Sequence, residues 1–219
     1  MTDEGPFAGD RRPLSSRDSA WARAIARALS GRAITPNQIS QASMVAALLA
    51  GGAFWLAGQT SGLGRGLLLA AAALFCQLRL LCNLFDGMVA MEGGKAEPDG
   101  PFWNEFPDRI ADILILAGLG FGVNTPALGL GAAAAAVLTA YVRELGRACG
   151  APSDFGGPMA KQHRMAVVTA AALLSIPSVL WGWHDDILRA ALWTVAIGAA
   201  VTALGRSWRL VRWLKARSG

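Results

Sequence analysis

Long apolar segments recur along almost the whole chain, and they limit the folds it can adopt more than any other feature. A helix needs roughly 20 apolar residues to cross a bilayer, and six such spans can be laid out. They are predicted at 36–57, 66–91, 101–122, 127–149, 164–183 and 187–205. Only 16% of the 219 residues are charged, whereas a soluble domain carries about 25%. The sequence therefore predicts an all-α integral membrane protein, a bundle of six transmembrane helices.

A short amphipathic helix is predicted before the first span, at residues 19–30. Trp21 and Ile25 fall on one helical face, and Arg23 and Arg27 fall on another. This pattern is typical of a helix that lies in the membrane interface.

Three parts of the chain follow from this layout. Residues 1–33 form an N-terminal segment that includes the amphipathic helix, 34–205 form the transmembrane domain, and 206–219 form a basic tail. Thr35 and Pro36 mark the start of the first span, because threonine caps helices and proline is accepted in the first turn.

The basic residues predict the orientation in the membrane. The N-terminal segment, the loop around Lys95, the loop 147–164 and the tail are all basic and fall on one side. The opposite loops contain only Arg65 and Arg189. By the positive-inside rule, both termini and the basic loops are cytoplasmic. We therefore expect a multi-pass protein of the cell (inner) membrane.

The net charge of +5 is consistent with anionic membrane lipids as partners. No nucleic-acid module is recognisable between the basic clusters, so nucleic acid is not expected to bind. The three cysteines lie in apolar contexts and are interpreted as reduced packing residues: Cys76, Cys82 and Cys149. The N-terminus is rich in charge and lacks the apolar stretch of a secretory signal.

Two of the predicted spans carry polar side chains on one face, near the ends that a short loop joins. Asn83 and Asp86 are three residues apart, and Asn104, Asp108 and Asp112 are spaced by four. Each set therefore lies on one face of its helix. The two spans are expected to be antiparallel neighbours with both polar faces at the cytoplasmic surface. Ionisable groups within spans are costly and are usually functional.

Carboxylate and carboxamide oxygens that converge from two helices suit a hard divalent cation such as Mg²⁺ or Mn²⁺, not zinc. Gly87 and Gly100 would let a ligand approach the backbone closely. A metal beside such a groove indicates a nucleotide diphosphate or another phosphate ester. The alternative is a structural ion pair of Asp112 with Arg79 or Arg143, which would not require the glycines.

Residues 83–108 resemble the motif of the CDP-alcohol phosphatidyltransferase family, D-x2-D-G-x2-A-R-x8-G-x3-D-x3-D. The spacing matches at every position, which here holds Asn83, Asp86, Gly87, Ala90, Met91, Gly100, Asn104 and Asp108. Three positions depart from the family pattern, because two asparagines replace aspartates and Met91 replaces an arginine. The predicted spans and the amphipathic helix extend the resemblance over most of the chain.

The resemblance implies an enzyme of phospholipid biosynthesis. An alcohol would attack the β-phosphate of a CDP-linked lipid such as CDP-diacylglycerol, and CMP would leave. Family members use divalent metal, here Mg²⁺ or Mn²⁺, and the last aspartate of the motif, Asp108, would be the catalytic base. The implied metal ligands are Asn83, Asp86, Asn104 and Asp108, with Asp112 as a nearby carboxylate that could compensate for the asparagines.

The resemblance also implies binding residues for the two substrates. The nucleotide would lie against Asp86, Gly87, Ala90 and Gly100. Phosphate or acceptor contacts are expected from Arg109, Arg143, Lys161 and Arg164. Each of these basic residues has a plainer interpretation, because positive charge belongs in cytoplasmic loops and Arg109 could simply pair with a neighbouring acid. His163 is interpreted as an interfacial hydrogen-bonding residue.

The departures from the motif leave alternatives open. Two carboxamides remove two negative charges, which predicts weaker metal binding and favours a single ion. A second register would use Asp108 and Asp112 as the final pair, but it breaks the glycine spacing. The alternative function is a weakened or inactive relative that binds lipid or nucleotide as a partner subunit. A transporter ranks lower, because the polar residues gather at one face.

Two properties stay open at this stage. The resemblance is compatible with a homodimer, although the Gly- and Ala-rich spans do not indicate a symmetry. The acceptor is also undecided among inositol phosphate, glycerol phosphate, serine and other alcohols. The run Asp108-Arg109-Ile110-Ala111-Asp112 has some similarity to the inositol-phosphate branch of the family.

Overall fold

A computed structural model describes residues 20–32, 34–92, 98–178 and 185–217. All the regular structure in these residues is helical. The helices are α1 Ala20–Ser30, α2 Pro36–Ala57, α3 Gly62–Glu92, α4 Gly100–Gly122, α5 Pro126–Ala148, α6 Lys161–Ser175 and α7 Asp186–Arg217. Residues 1–19 of the predicted N-terminal segment and the predicted loop around Lys95 lie outside the described part of the chain.

Four of these helices are long and apolar enough to cross a membrane, namely α2, α3, α5 and α7. Helix α4 has 23 residues but carries four charged side chains between Glu105 and Asp112. Helix α6 has 15 described residues, fewer than a span requires. The protein is therefore an all-helical, multi-pass membrane protein, and the predicted count of six spans is not confirmed.

Two helix ends differ from the prediction. Helix α6 ends at Ser175, two residues before Pro177, although Ile176 at its C-cap still has a right-handed helical conformation. Pro177 lies beyond the end of α6, in a 3₁₀ turn. Helix α7 runs without a break through the predicted boundary at residue 205 and continues to Arg217. The basic tail is a continuation of the last apolar helix.

The start of α2 matches the sequence prediction. The Thr35 hydroxyl accepts a hydrogen bond from the Gln38 backbone N–H at 3.2 Å, and the Gln38 side chain accepts one from the Thr35 N–H at 3.1 Å. This reciprocal capping box satisfies two of the donors that a helix start leaves unpaired. Pro36 stands at the first helical position, where its missing N–H costs nothing.

Helix α1 packs against the C-terminal half of α3. The small residues Ala22 and Ala26 are fully buried, whereas Trp21 and Ile25 stay exposed. Trp21 also meets Phe85 of α3 edge to face. The amphipathic helix is confirmed, and it supports the part of α3 that carries the motif.

A glycine seam holds α2 against α4, and we define it as Gly51, Gly58, Gly118 and Gly122. A Cβ atom added to Gly58 would lie 1.8 Å from the carbonyl oxygen of Gly122, and one added to Gly118 would lie 2.2 Å from that of Gly51. No side chain fits at such distances, so the two backbones are in direct contact. This contact fixes α4, and with it the second half of the motif, relative to α2.

Candidate active site

The polar faces of α3 and α4 meet at one end of the bundle. The Asn83 side-chain amide donates to Asp108 Oδ1 at 2.7 Å. Asp86 and Asp108 are both buried, and the charge of Asp108 acts on Asp86. The structure thus brings together three of the predicted site residues, Asn83 and Asp86 from α3 and Asp108 from α4.

Two serines of α2 complete this layer of polar side chains. The Ser40 hydroxyl donates to Asp86 Oδ2 at 2.8 Å, and the Ser43 hydroxyl donates to Asn83 Oδ1 at 3.2 Å. Asp86 Oδ1 accepts from the Gly87 backbone N–H at 2.6 Å. Sequence analysis missed both serines, although their spacing of three places them on one face of an otherwise apolar helix.

Two cations point at the carboxylate of Asp108. Arg79 Nη2 donates to Asp108 Oδ1 at 3.1 Å, and Lys161 Nζ donates to Asp108 Oδ2. The Arg79 side chain is completely buried, whereas 30% of the Lys161 side chain is exposed. Each oxygen of Asp108 therefore already accepts a hydrogen bond from a cationic side chain.

Asp112 lies one turn further along α4 and forms a separate ion pair. Its Oδ2 accepts from Arg164 Nη2 at 2.6 Å, and Arg164 Nη1 also donates to the Met159 carbonyl at 3.0 Å. Arg79 Nη2 stands 4.0 Å from Asp112 Oδ1. The structural pairing considered from the sequence is therefore present, but its nearest partner is Arg164, which had been assigned to phosphate.

A second acidic centre, Glu105, gathers residues that the sequence assigned to metal or phosphate. Asn104 is exposed and its amide donates to Glu105 Oε1 at 3.4 Å. Arg109 and Arg143 both donate to Glu105 Oε2. Arg109 Nη1 also lies 3.8 Å from Asp108 Oδ2. The described contacts do not bring Asn104 to the carboxylates of Asp86 and Asp108.

The remaining motif positions line the approach to this layer. Gly100 begins α4, and a Cβ atom there would meet nothing within 4 Å. Gly87 and Ala90 are partly buried on α3. Met91, which stands where the family has arginine, is 63% exposed. Among the motif positions, Gly100 therefore has open space around it, and Gly87 and Ala90 place no large side chain beside Asp86.

Asp99 joins the start of α2 to the start of α4. Its Oδ2 accepts from Trp103 Nε1 at 2.8 Å, and its Oδ1 lies 3.2 Å from Asn37 Nδ2. Sequence analysis assigned no role to Asp99. Because it precedes Gly100 directly, these bonds hold the glycine end of the motif in place.

His163 lies in the first turn of α6 and makes a hydrogen bond to the backbone, as the sequence interpretation expected of it. Its Nδ1 is 2.9 Å from the Pro158 carbonyl oxygen. That contact fixes the loop that leads to Lys161 and Arg164. The imidazole makes no described contact with the motif carboxylates.

A cleft of about 130 Å³ lies apart from the motif, between α5, α7 and the segment that follows α5. It is lined by Val142, Arg143, Gly146, Ala151, Pro152, Asp154, Arg206, Arg209, Leu210 and Trp213. Arg209 Nε donates to Asp154 Oδ2 at 2.7 Å. Burial acts to raise the pKa of Asp154, but hydrogen bonds from Arg209 and the Gly156 N–H outweigh it, and the pKa lies below its ordinary value.

The donor atoms of the polar layer suit a hard cation in type but are few in number. Asp86, Asp108 and Asn83 offer only oxygen ligands, the chemistry that Mg²⁺ and Mn²⁺ prefer. Across the described ranges, no three acidic, histidine or cysteine side chains are grouped so as to hold a metal ion. The set fits one divalent cation that keeps several water or phosphate ligands.

Comparison with known sequences found relatives of one kind, although no family model matches the chain. Over 192 residues the chain is 27% identical to the phosphatidylinositol phosphate synthase of Mycolicibacterium smegmatis, covering 84% of this chain and 81% of that protein. Over 153 residues it is 34% identical to the bifunctional IPC transferase and DIPP synthase of Rubrobacter xylanophilus. That match covers 66% of this chain but only 32% of the Rubrobacter protein.

Solved structures share the fold. The crystal structure of Mycobacterium tuberculosis phosphatidylinositol phosphate synthase with CDP-DAG bound superimposes with a TM-score of 0.73 at 21% identity, covering 88% of this chain and 94% of that one. The same enzyme in complex with manganese and citrate gives a TM-score of 0.72 at 22% identity, covering 86% and 88%. The helical arrangement around the motif is therefore one that is found in solved membrane enzymes.

Proposed function

The chain belongs to the CDP-alcohol phosphatidyltransferase family, and we propose on that premise that it moves a phosphatidyl group from a CDP-linked lipid to an alcohol. CDP-diacylglycerol is the expected donor, CMP is the leaving group, and the product is a phospholipid. One observation carries this proposal. Asp86 of α3 and Asp108 of α4 are both buried at the same end of the bundle, and Asn83, three residues before Asp86, donates a hydrogen bond to Asp108.

Asp86, Asp108 and the Asn83 side-chain oxygen are the residues that would hold Mg²⁺ or Mn²⁺. A bound ion would supply charge neutralisation for the diphosphate and stabilise the leaving phosphate oxygen. Hydrogen bonds from α2 orient two of these ligands, because Ser40 donates to Asp86 and Ser43 donates to Asn83. Because Asn104 and Asp112 make other contacts, they are not included in this ligand set.

Asp108 is the residue proposed to take the proton from the acceptor hydroxyl. Asn83 and Arg79 hold its Oδ1, which leaves Oδ2 as the oxygen that faces the more exposed Lys161. An arriving hydroxyl would take over the contact of Lys161 with Oδ2. The released ammonium group would then lie beside the phosphate of a substrate. General-base assistance of this kind is worth about 10²–10⁴ in rate.

We propose that the polar layer lies at the cytoplasmic surface of the cell membrane. The basic C-terminal half of α7 and the segment before α6 lie at the same end as the motif, which agrees with the positive-inside rule. Cation–π contacts of Arg212 with Trp208 and of Arg217 with Trp213 are suited to a headgroup interface. A homodimer is part of the same proposal, in which exposed apolar side chains of α7 such as Leu204 and Val201 would face lipid or a second copy.

The test is CMP release by the purified protein in nanodiscs. CDP-diacylglycerol, Mg²⁺ or Mn²⁺ and a panel of acceptors would be supplied, with the lipid product identified by mass spectrometry. Asp108→Asn should abolish turnover, whereas Asp186→Asn, at the opposite end of the bundle, should leave it unchanged. A product that forms equally well with Asp108→Asn would refute the mechanism, and CMP release without any acceptor-dependent lipid would refute the substrate assignment.

A second function, a partner subunit that binds without turnover, has one observation in its favour. Asn83 and Asn104 remove two carboxylates, and both oxygens of Asp108 already accept hydrogen bonds from cations. Asn83→Asp combined with Asn104→Asp discriminates the two functions. The enzyme hypothesis predicts tighter Mn²⁺ binding and faster CMP release in the double variant, and the partner hypothesis predicts no CMP release in either protein.

A further inference from the structure

We propose that Arg79 is a fixed cation of the site that takes the place of a second divalent ion, so that the site holds one metal ion per chain. The inference deepens the proposed function, because it concerns the same polar layer. It differs from that proposal in what it predicts, since it sets the number of ions rather than the reaction.

The first observation is where Arg79 lies. It precedes Asn83 by four residues on α3 and so shares the face of Asn83 and Asp86. Its side chain has no exposed surface, and it is the largest of the fully buried side chains. Burying a guanidinium is costly unless acidic partners compensate. Arg79 therefore adds a permanent positive charge to the layer that the carboxylates form.

The second observation is that Arg79 is incompletely paired. Nη2 lies 3.1 Å from Asp108 Oδ1 and 4.0 Å from Asp112 Oδ1. Nε and Nη1 are buried and have no hydrogen-bond partner within the described residues, and neither does Asp112 Oδ1. A guanidinium can donate five hydrogen bonds in a fixed fork. Here most of that capacity is unused, which is not the geometry of an optimised structural ion pair.

The third observation is the balance of charge. Asp86 and Asp108 contribute two negative charges to the layer, and Arg79 and Lys161 contribute two positive charges. The nearby charges of Asp112 and Arg109 are balanced by their own partners, Arg164 and Glu105. One divalent ion would therefore leave an excess of two positive charges, which the two negative charges of a CDP-lipid diphosphate can balance. A second divalent ion would add two uncompensated charges at a buried position, where electrostatic repulsion is strong. The asparagines at 83 and 104 are in accord with this balance.

The geometry of Asp108 points the same way. In sites with two divalent ions, the ions lie about 3.5–4 Å apart and stabilise the attacking and leaving oxygens from both sides. A carboxylate between them would have to offer an oxygen to each ion. Asp108 Oδ1 is already held by Asn83 at 2.7 Å and by Arg79 at 3.1 Å. Arg79 and Asn83 thus engage the Oδ1 atom that Asp108 would have to offer to a second ion.

The experiment counts Mn²⁺ ions in the purified protein by isothermal titration and electron paramagnetic resonance. The wild type should bind one Mn²⁺ per chain, with the spectrum of an isolated ion. Arg79→Met should tighten that binding about tenfold or more, because a nearby like charge is removed. Arg79→Met with Asn83→Asp should bind two ions with a spin-coupled spectrum, whereas Asn83→Asp alone should still bind one.

Two control variants separate charge from packing. Arg79→Lys keeps the positive charge and should bind Mn²⁺ as the wild type does. Arg189→Met removes an arginine at the opposite end of the bundle and should also leave binding unchanged. Two ions in the wild type, no ion in the wild type, or unchanged affinity in Arg79→Met would each overturn the inference. Because the wild-type count is decisive by itself, the inference stays testable if Arg79→Met does not fold.

CMP release measured on the same preparations separates this inference from the proposed function. One bound Mn²⁺ without acceptor-dependent CMP release would refute the proposed reaction and retain the role of Arg79. Acceptor-dependent CMP release with two coupled ions would support the proposed reaction and refute the role of Arg79.

Discussion

Helix α3 carries two buried arginines, Arg65 in its first turn and Arg79 near its middle, and the two make different contacts. Near the first end, Arg65 Nη2 pairs with Asp185 Oδ1 at 2.7 Å, and Nη1 donates to the Ala57 carbonyl oxygen at 3.0 Å. Arg65 thereby joins the end of α2 to the start of α7. Near the middle of the helix, Arg79 has two buried nitrogen atoms, Nε and Nη1, that have no hydrogen-bond partner among the described residues.

The comparison distinguishes a polar contact that connects helices from one that prepares a site. Arg65 satisfies a backbone carbonyl that a helix end leaves free, so its contacts complete the fold. Arg79 shares the Asp108 carboxylate with Asn83 and Lys161, so side chains of three helices, α3, α4 and α6, meet at that carboxylate. Where several polar groups compete for one acceptor in a buried layer, pairing within the protein is incomplete, and a ligand can complete it.

The largest difference in CMP release between variants at the two ends of the bundle is expected when acidic residues are substituted. Asp86→Asn keeps the shape of the side chain and one acceptor for Ser40, but it removes a negative charge that a metal ion would require. We expect CMP release to fall by about 10²–10⁴-fold, with the unfolding temperature little changed. The matched change at the other end, Asp185→Asn, should retain CMP release. Equal losses from both variants would mean that the two ends do not differ in function.

A second test concerns the glycine seam that fixes the distance between α2 and α4. Gly58→Ala would place a methyl group 1.8 Å from a backbone oxygen, and the helices would have to separate. We expect a loss of about 3 kcal/mol or more in the free energy of unfolding, measured by denaturant titration in detergent. Gly52→Ala is the control, because a Cβ there meets nothing within 4 Å. Comparable losses in both variants would exclude the seam as the cause.

A third test removes the connecting arginine. Arg65→Met leaves Asp185 with a weaker partner, Arg189 Nη2 at 3.4 Å. We expect the free energy of unfolding to fall by about 2–3 kcal/mol, less than for a fully buried pair because Asp185 is partly exposed. The CMP release of the folded fraction should stay within about twofold of the wild type. A selective loss of activity without a loss of stability would show that this end also contributes to the reaction.

The sequence predicted the parts of this architecture that depend on local pattern. The helix start at Thr35, the amphipathic helix and the shared face of Asn83 and Asp86 all follow from spacing and capping chemistry. The meeting of α3 and α4 follows from their short connection. These features need only the geometry of one or two adjacent helices, so a single sequence is enough to indicate them.

The pairing of side chains across helices distant in sequence was not predictable in the same way. Arg164 is 52 residues from its partner Asp112, and nothing local distinguishes it from Arg143 as a candidate. Ser40 and Ser43 of α2 reach Asp86 and Asn83 of α3 across 46 and 40 residues of sequence. Long-range packing selects the partner, whereas sequence spacing indicates only the face.

The smallest expected effect concerns the surface pair Asp154–Arg209, beside the cleft rather than in the polar layer. The hydrogen bonds from Arg209 and Gly156 and the nearby charge of Arg206 hold the pKa of Asp154 below its ordinary value, against the opposing effect of burial. A carboxyl with a lowered pKa in the folded state stabilises the fold at pH above its ordinary pKa of about 4. That contribution is lost as the pH falls through the folded-state pKa.

Asp154→Asn should therefore lower the free energy of unfolding by about 0.5 kcal/mol at pH 7, as is usual for an exposed ion pair. The difference from the wild type should shrink as the pH is lowered from about 5 to 3 and as salt is added. Thermal unfolding in detergent across this pH series measures it, with Asp186→Asn as the exposed control at the opposite end. A difference that stays constant with pH would mean that Asp154 acts through its turn with Gly156 rather than through its charge.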